Sequence, residues 1–305
     1  MLAAPIRNFA SYAAGQLMRP PPGMEFDFSE PRGEPALIPP DSVSWRIFKN
    51  PVSLFIGGVA AVILELAEPS VRAGVWNHSS FRRDAMTRLR RTGFAAMMTV
   101  YGPRSAAEAM IARVVRMHDR VRGTTPSGVP YHANDQRLLD WVQATASYGF
   151  IEAYHQYVSP LTRDERSRAF AEGAAAARLY GATGAPTSLR EWQEILAITE
   201  PGLEPSPTVF EFLDIMRSAP IVPPPLRPVQ RLLIRAAVEL TPPAIRRKLG
   251  LGAHGLSGTQ RMVVKLLGRV AEKLPLHTAP PAQASVRMGL GADYLYRSPA
   301  QNETP

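Results

Sequence analysis

One histidine lies where its imidazole could bind a metal. A helix over residues 104–122 would place His118 on an apolar face and several arginines on the opposite face. The apolar neighbours are Ala107, Ile111, Val114, Val115 and Val121, and the opposite residues are Arg113, Arg116 and Arg120. A buried imidazole needs a partner, because an unpaired polar nitrogen costs about 1–3 kcal/mol. This helix alone favours a structural histidine bonded to a backbone carbonyl, with ligation of haem iron as the alternative.

The preceding helix carries an arginine and a threonine on one face. Arg88 and Thr92 are four residues apart, so they share that face, which otherwise carries small side chains. The face also holds Ala85, Ala95, Ala96 and Thr99, and it lies opposite Met86, Leu89 and Met97. Small side chains allow close approach, so Arg88 could pair with a haem propionate while Thr92 forms a hydrogen bond nearby. A solvated arginine beside ordinary helix packing is the alternative interpretation.

The chain of 305 residues contains no cysteine. Disulfides, iron–sulfur clusters, thiolate zinc sites, thiolate-ligated haem and covalent haem attachment through C-x-x-C-H are therefore excluded. Any bound metal must be held by histidine, carboxylate or another oxygen or nitrogen donor.

The formal net charge is +9, and the arginines that cause it are spread along many segments. Because basic residues do not form a continuous run with interleaved aromatics, we expect no nucleic-acid partner, while peripheral contact with a membrane stays open. The N-terminal residues lack the apolar core of a secretion signal, so we expect a cytoplasmic protein. The most hydrophobic stretch, residues 52–67, contains Glu65 and is shorter than the roughly 20 residues of a membrane span. It predicts a buried core helix.

The hydrophobic pattern predicts an all-α protein with a single multi-helix domain. Residues 1–45 form a proline-rich arm, residues 46–275 the helical domain, and residues 276–305 an irregular tail. No alternating strand pattern is present. The predicted helices are 52–68, 81–99, 104–122, 135–156, 162–180, 188–198, 207–218, 227–239, 242–248 and 258–273.

An ordered set of short motifs runs through roughly residues 45–255 and resembles the MpaB-type oxygenase family, which includes the rubber oxygenases called latex-clearing proteins. The central motifs are R-x-x-R-T from Arg88, H-x-x-V-x-G from His118, Y-x-A-N-D from Tyr131 and L-L-x-W-V-x-A-T from Leu138. Further matches are Pro69, V-W-N-H-S from Val75, A-Y from Ala153, P-T-S from Pro186 and L-G-L from Leu249.

The resemblance implies an all-helical protein that encloses a non-covalent b-type haem (heme b). It places Arg88, Thr92 and His118 at the cofactor, with His118 as the axial ligand of the iron. It also implies an oxygenase that uses dioxygen on a hydrophobic, unsaturated, isoprenoid- or lipid-like substrate, with a redox partner as a further possibility. Gln143 replaces a histidine expected in many relatives, and the missing secretion signal argues against rubber polymer as the substrate.

Two other functions remain open on the sequence. His78, His118, Asp119 and Asp140 follow the H…HD…D order of all-helical phosphohydrolases that bind divalent metals. Helix geometry disfavours this, because Asp119 is rotated by about 100° from His118. The other alternative is a non-catalytic protein that carries haem or binds a partner. The sequence does not identify a distal acid–base residue among Arg91, Glu108 and Gln143.

Overall fold

The computed structural model describes residue 20 and residues 23–297, and helices dominate this part of the chain. The helices are α1 (Val43–Phe48), α2 (Pro51–Ala67), α3 (Pro69–His78), α4 (Ala85–Tyr101), α5 (Arg104–His118), α6 (Gln136–Tyr157), α7 (Arg163–Glu172), α8 (Ala174–Tyr180), α9 (Leu189–Thr199), α10 (Pro207–Ser218), α11 (Arg227–Leu240), α12 (Pro243–Lys248), α13 (Gly258–Glu272) and α14 (Pro280–Arg287). The all-α prediction is therefore confirmed for the described residues.

Helices α2 and α6 form the centre of the core. Asn50 caps α2 by accepting hydrogen bonds from the amides of the first turn, and Pro51 fits that turn because it has no N–H to satisfy. The two backbones touch at a pair of glycines: a Cβ added at Gly57 would lie 2.7 Å from the carbonyl oxygen of Gly149. This close crossing buries α2, as the sequence predicted.

No single helix in residues 23–297 is long and apolar enough to cross a membrane. Helices α2 and α3 taken together have the length and apolar composition of a membrane span, but they are bent by 110° where they meet. Most residues of α2 are buried inside the protein.

The structure near the site differs from the predicted elements in four places. Helix α3 was not predicted, and α4 begins at Ala85 instead of residue 81 because Asp84 caps it by accepting from the amide of Thr87 at 3.0 Å. Helix α5 ends at His118 instead of continuing to residue 122. A short antiparallel hairpin follows, with strands β1 (Arg122–Thr124) and β2 (Pro130–His132) joined by a turn.

The predicted irregular tail, residues 276–305, is wrong for its central part, because α14 spans Pro280–Arg287. Arg287 is 1 % exposed and donates three hydrogen bonds of 2.7–2.9 Å, to the carbonyl oxygens of Phe28, Glu34 and Tyr101. These bonds hold α14 against the N-terminal arm and the end of α4. Residues 23–42 of the arm form no helix, and residues 1–19, 21–22 and 298–305 of the predicted arm and tail lie outside the described residues. The predicted helix 162–180 is broken at Gly173 into α7 and α8.

Candidate functional site

His118 is the last residue of α5, and the inward face predicted for this helix is confirmed. Ala107 and Ile111 are buried, His118 is half-buried, and Arg113 on the opposite side is exposed. The Nδ1 atom of His118 is buried and has no hydrogen-bond partner among the described residues. The expected bond from a structural histidine to a backbone carbonyl is therefore not formed at this atom.

The pKa of His118 is lowered, first by burial and then by the positive charge of Arg88. The side chains of Asn134 and Asp119 oppose this effect only in part. At neutral pH the imidazole is thus kept in its uncharged form, which is the form that binds a metal ion.

Asn134 follows β2 and holds the turn after α5 in place. Its Nδ2 atom donates to Oδ1 of Asp119 at 2.7 Å and to the carbonyl oxygen of Val115 at 3.3 Å. This orientation turns the buried Oδ1 atom of Asn134 toward the buried Nδ1 atom of His118, and although the two atoms do not form a hydrogen bond of regular geometry, their interaction raises the pKa of His118. One hydrogen bond from Nδ1 to Oδ1 would satisfy both atoms and leave Nε2 of His118 with its lone pair available.

Arg88 lies on α4, half-buried and close enough to His118 to lower its pKa. Burial also lowers the pKa of Arg88 itself, and the charge of Glu65 counteracts this. Within residues 23–297 the guanidinium has no ion pair or hydrogen bond to a side chain. A partly desolvated arginine without a bonded acid is suited to a carboxylate or phosphate of a ligand.

Glu65, on α2, is the site residue that the sequence reasoning missed. Burial raises the pKa of its carboxyl to about 7, and the attraction of Arg88 offsets only part of that rise. The two side chains do not form a direct ion pair. An acid in the most apolar stretch of the chain was the available signal, because an isolated charge inside a core helix is costly unless it has a function.

Thr92 lies one turn after Arg88 and is exposed. Its hydroxyl donates to the carbonyl oxygen of Arg88 at 3.1 Å, inside its own helix. The neighbouring Gly93 is open, since a Cβ added there would meet nothing within 4 Å. The structure therefore places Arg88, His118 and the unpredicted Glu65 together, while Thr92 borders open space on the same helix.

The residues of the phosphohydrolase hypothesis are not assembled. Nε2 of His78 is hydrogen-bonded to the hydroxyl of Tyr131 at 3.1 Å, and Oδ1 of Asp119 accepts from Asn134. Oδ1 of Asp140 accepts from the side chain of Gln136 and the amide of Gly184, and burial raises the pKa of this carboxyl. Within the described part of the chain, no three histidine, aspartate or glutamate residues are grouped to hold a metal ion.

Comparison with known proteins identifies a family for this chain. A family model described as the catalytic domain of ER-bound oxygenase mpaB/B' and rubber oxygenase matches residues 45–273. The chain matches no curated protein and no solved structure. The matched region contains α2, α4, α5 and the hairpin, and so includes Glu65, Arg88, His118 and Asn134. The chain belongs to the mpaB and rubber oxygenase catalytic-domain family.

Proposed function

We propose that this protein is a haem-dependent oxygenase that uses dioxygen on a hydrophobic, unsaturated, isoprenoid- or lipid-like substrate, with His118 as the axial ligand of the iron. The observation that carries the proposal is the state of His118, which is half-buried and favoured in its neutral form, and whose Nδ1 side faces Asn134 while Nε2 has no hydrogen-bond partner among the described residues. Its setting in an oxygenase catalytic domain makes ligation the stronger of the two explanations offered by the sequence.

The donor set fits a b-type haem. His118 offers a neutral imidazole, and Asn134 offers a carbonyl that can orient it through Nδ1. Arg88 offers a positive charge without a bonded acid, which suits a propionate. When bound, haem supplies one-electron and dioxygen chemistry that protein side chains lack.

Glu65 is the residue best suited to proton transfer. A carboxyl with a pKa of about 7 can hold a proton or release it at neutral pH, as a general acid or base must. The nearby charge of Arg88 favours the ionised form, while the apolar wall of α2 favours the protonated form. The buried isoleucine and leucine side chains of the same helix shield this carboxyl from water.

The test of ligation is the absorption spectrum of the purified protein after haem loading. We expect a Soret band for the wild type that is lost in His118→Ala and returns when imidazole is added. The matched control is His254→Ala, which removes another half-buried histidine that contacts Phe210 edge to face and lies far along the chain from His118. If His118→Ala keeps the wild-type spectrum and haem content, the proposed ligand is wrong.

A second measurement tests turnover. The reduced, haem-loaded protein is exposed to isotopically labelled dioxygen with a panel of unsaturated lipids and terpenoids, and the products are analysed by mass spectrometry. Label in a cleaved or oxygenated product is the expected result. Retained haem with no label across the panel would favour the non-catalytic alternative, a protein that carries or senses haem.

A further inference from the structure

Helix α13 exposes a band of apolar side chains. Met262 is 66 % exposed and Leu266 is 62 % exposed, and both lie opposite Val264 and Gly268, which pack against the body of the protein. Val263 and Val270 extend the band along the same outer face. Four of the nine large hydrophobic side chains that are exposed in residues 23–297 therefore lie on this one helix. Such clustering marks a binding surface more often than a scattered apolar residue does.

The charges around the band are basic. Lys265, Arg269 and Lys273 lie along one edge of it and form no ion pair within the described residues. The acid of this helix, Glu272, is directed inward, where it pairs with Lys49 at 3.0 Å. The outer face of α13 therefore combines apolar side chains with unneutralised cations.

A pocket lies beside the basic edge. It has a volume of about 180 Å³, and Lys265 and Arg269 line it together with His155 and the backbone turn that follows α6. Two cations at one small polar pocket suit a single phosphate group.

We propose that α13 docks the protein on the surface of an anionic phospholipid bilayer. Met262 and Leu266 enter the boundary between head groups and acyl chains, and Lys265 and Arg269 bind lipid phosphates. Apolar side chains that enter the membrane and basic side chains that bind its phosphates are the two features of an interfacial amphipathic helix. A second copy of the chain would bring like charges together, and a nucleic acid would leave the apolar band without a partner. The inference stands apart from the proposed oxygenase activity.

The test is co-sedimentation of the full chain with vesicles of phosphatidylcholine alone or mixed with phosphatidylglycerol. We expect binding to the mixed vesicles only. Replacing both Met262 and Leu266 by serine should weaken binding by more than about tenfold, because their apolar surface no longer enters the membrane. Lys265→Gln and Arg269→Gln should each weaken it by about fivefold. Ile198→Ser is the matched control, because this residue is 80 % exposed on α9, and it should bind as the wild type does.

Results that contradict membrane docking can be told apart from one another. Met262, Leu266, Arg269 and Ile198 are exposed and Lys265 is half-buried at the pocket, and none of the five is in the core, so circular dichroism should show unchanged folding of the variants. A wild type that ignores anionic vesicles, or a serine double variant that binds as well as the wild type, overturns the proposal. A dimer that dissociates in the double variant, seen by light scattering, would assign the face to a second copy. Binding of inorganic phosphate without vesicle binding would assign the pocket to a free anion.

Discussion

Glu65 should make the haem-free protein less stable as the pH rises. Its carboxyl has a pKa of about 7 in the folded chain against 4.5 for an unperturbed glutamate. Below about pH 4.5 the carboxyl is protonated in the folded and in the unfolded chain, so it does not lower the free energy of unfolding. Between the two values only the unfolded chain ionises freely, so the free energy of unfolding falls. Above about pH 7 the carboxyl is ionised in both states, and the free energy of unfolding has fallen by its full amount. The difference between the two pKa values corresponds to about 3 kcal/mol.

The variant Glu65→Gln removes this ionisation with almost no change in volume. In urea unfolding of the haem-free protein, we expect it to be more stable than the wild type by about 3 kcal/mol near pH 8 and by less than about 1 kcal/mol near pH 5. His118 titrates in both proteins, so its contribution cancels in the difference. Glu108→Gln, on the exposed side of α5, is the control and should show no such trend. A difference between wild type and Glu65→Gln that is constant from about pH 5 to about pH 8 would refute the reasoning.

Three further substitutions test the site and the core. Asn134→Ala removes the carbonyl that faces Nδ1 of His118, so haem affinity measured by titration should fall about 10- to 100-fold, and an unchanged affinity would remove Asn134 from the site. Gly57→Ala places a methyl group 2.7 Å from the carbonyl oxygen of Gly149 and should cost about 1–3 kcal/mol in urea unfolding, whereas Gly58→Ala, whose nearest neighbour is 3.9 Å away, should not destabilise. Arg287→Met leaves three backbone carbonyls without their donor and should cost at least about 3 kcal/mol and speed proteolysis of the N-terminal arm, whereas equal cleavage rates would contradict the anchoring role.

Most helices could be predicted because their ends carry local signals. Asn50 with Pro51, Ser188 and Ser206 with Pro207 each cap a helix that begins within a residue of the predicted start. The failures have local causes too. Helix α3 was missed because Glu68 both ends α2 and caps α3, so no loop separates the two helices, and Pro69, which marks a helix stop in the sequence, is here the first residue of the next helix.

Other elements depend on contacts that no local pattern reveals. The hairpin strands have three residues each, too few for a visible alternation of apolar and polar side chains. The prolines at the start of α14 were interpreted as breakers, although proline is compatible with a first helical turn. What secures α14 is Arg287, whose partners lie more than 180 residues away in the sequence.

The residues of the candidate site also differ in how far the sequence alone identifies them. Arg88 and His118 could be identified because both lie in recognisable motifs on amphipathic helices. Glu65 carried a signal in the sequence, as an acid in the most apolar stretch, but that stretch alone does not show that α2 places its carboxyl near Arg88. Asn134 was part of a motif, but its orientation toward His118 depends on the bond to Asp119.

The energetic cost of the site is itself an argument for a ligand. Glu65, Arg88 and His118 are all partly buried, and in each of them burial disfavours the charged form. Selection for stability alone would replace such groups with apolar ones or join them in direct pairs. A ligand that brings a carboxylate to Arg88 and an electron-pair acceptor to His118 would compensate the energetic cost of burying these two side chains. Loading with haem should therefore raise the melting temperature of the wild type more than that of His118→Ala, because a ligand stabilises the state that binds it.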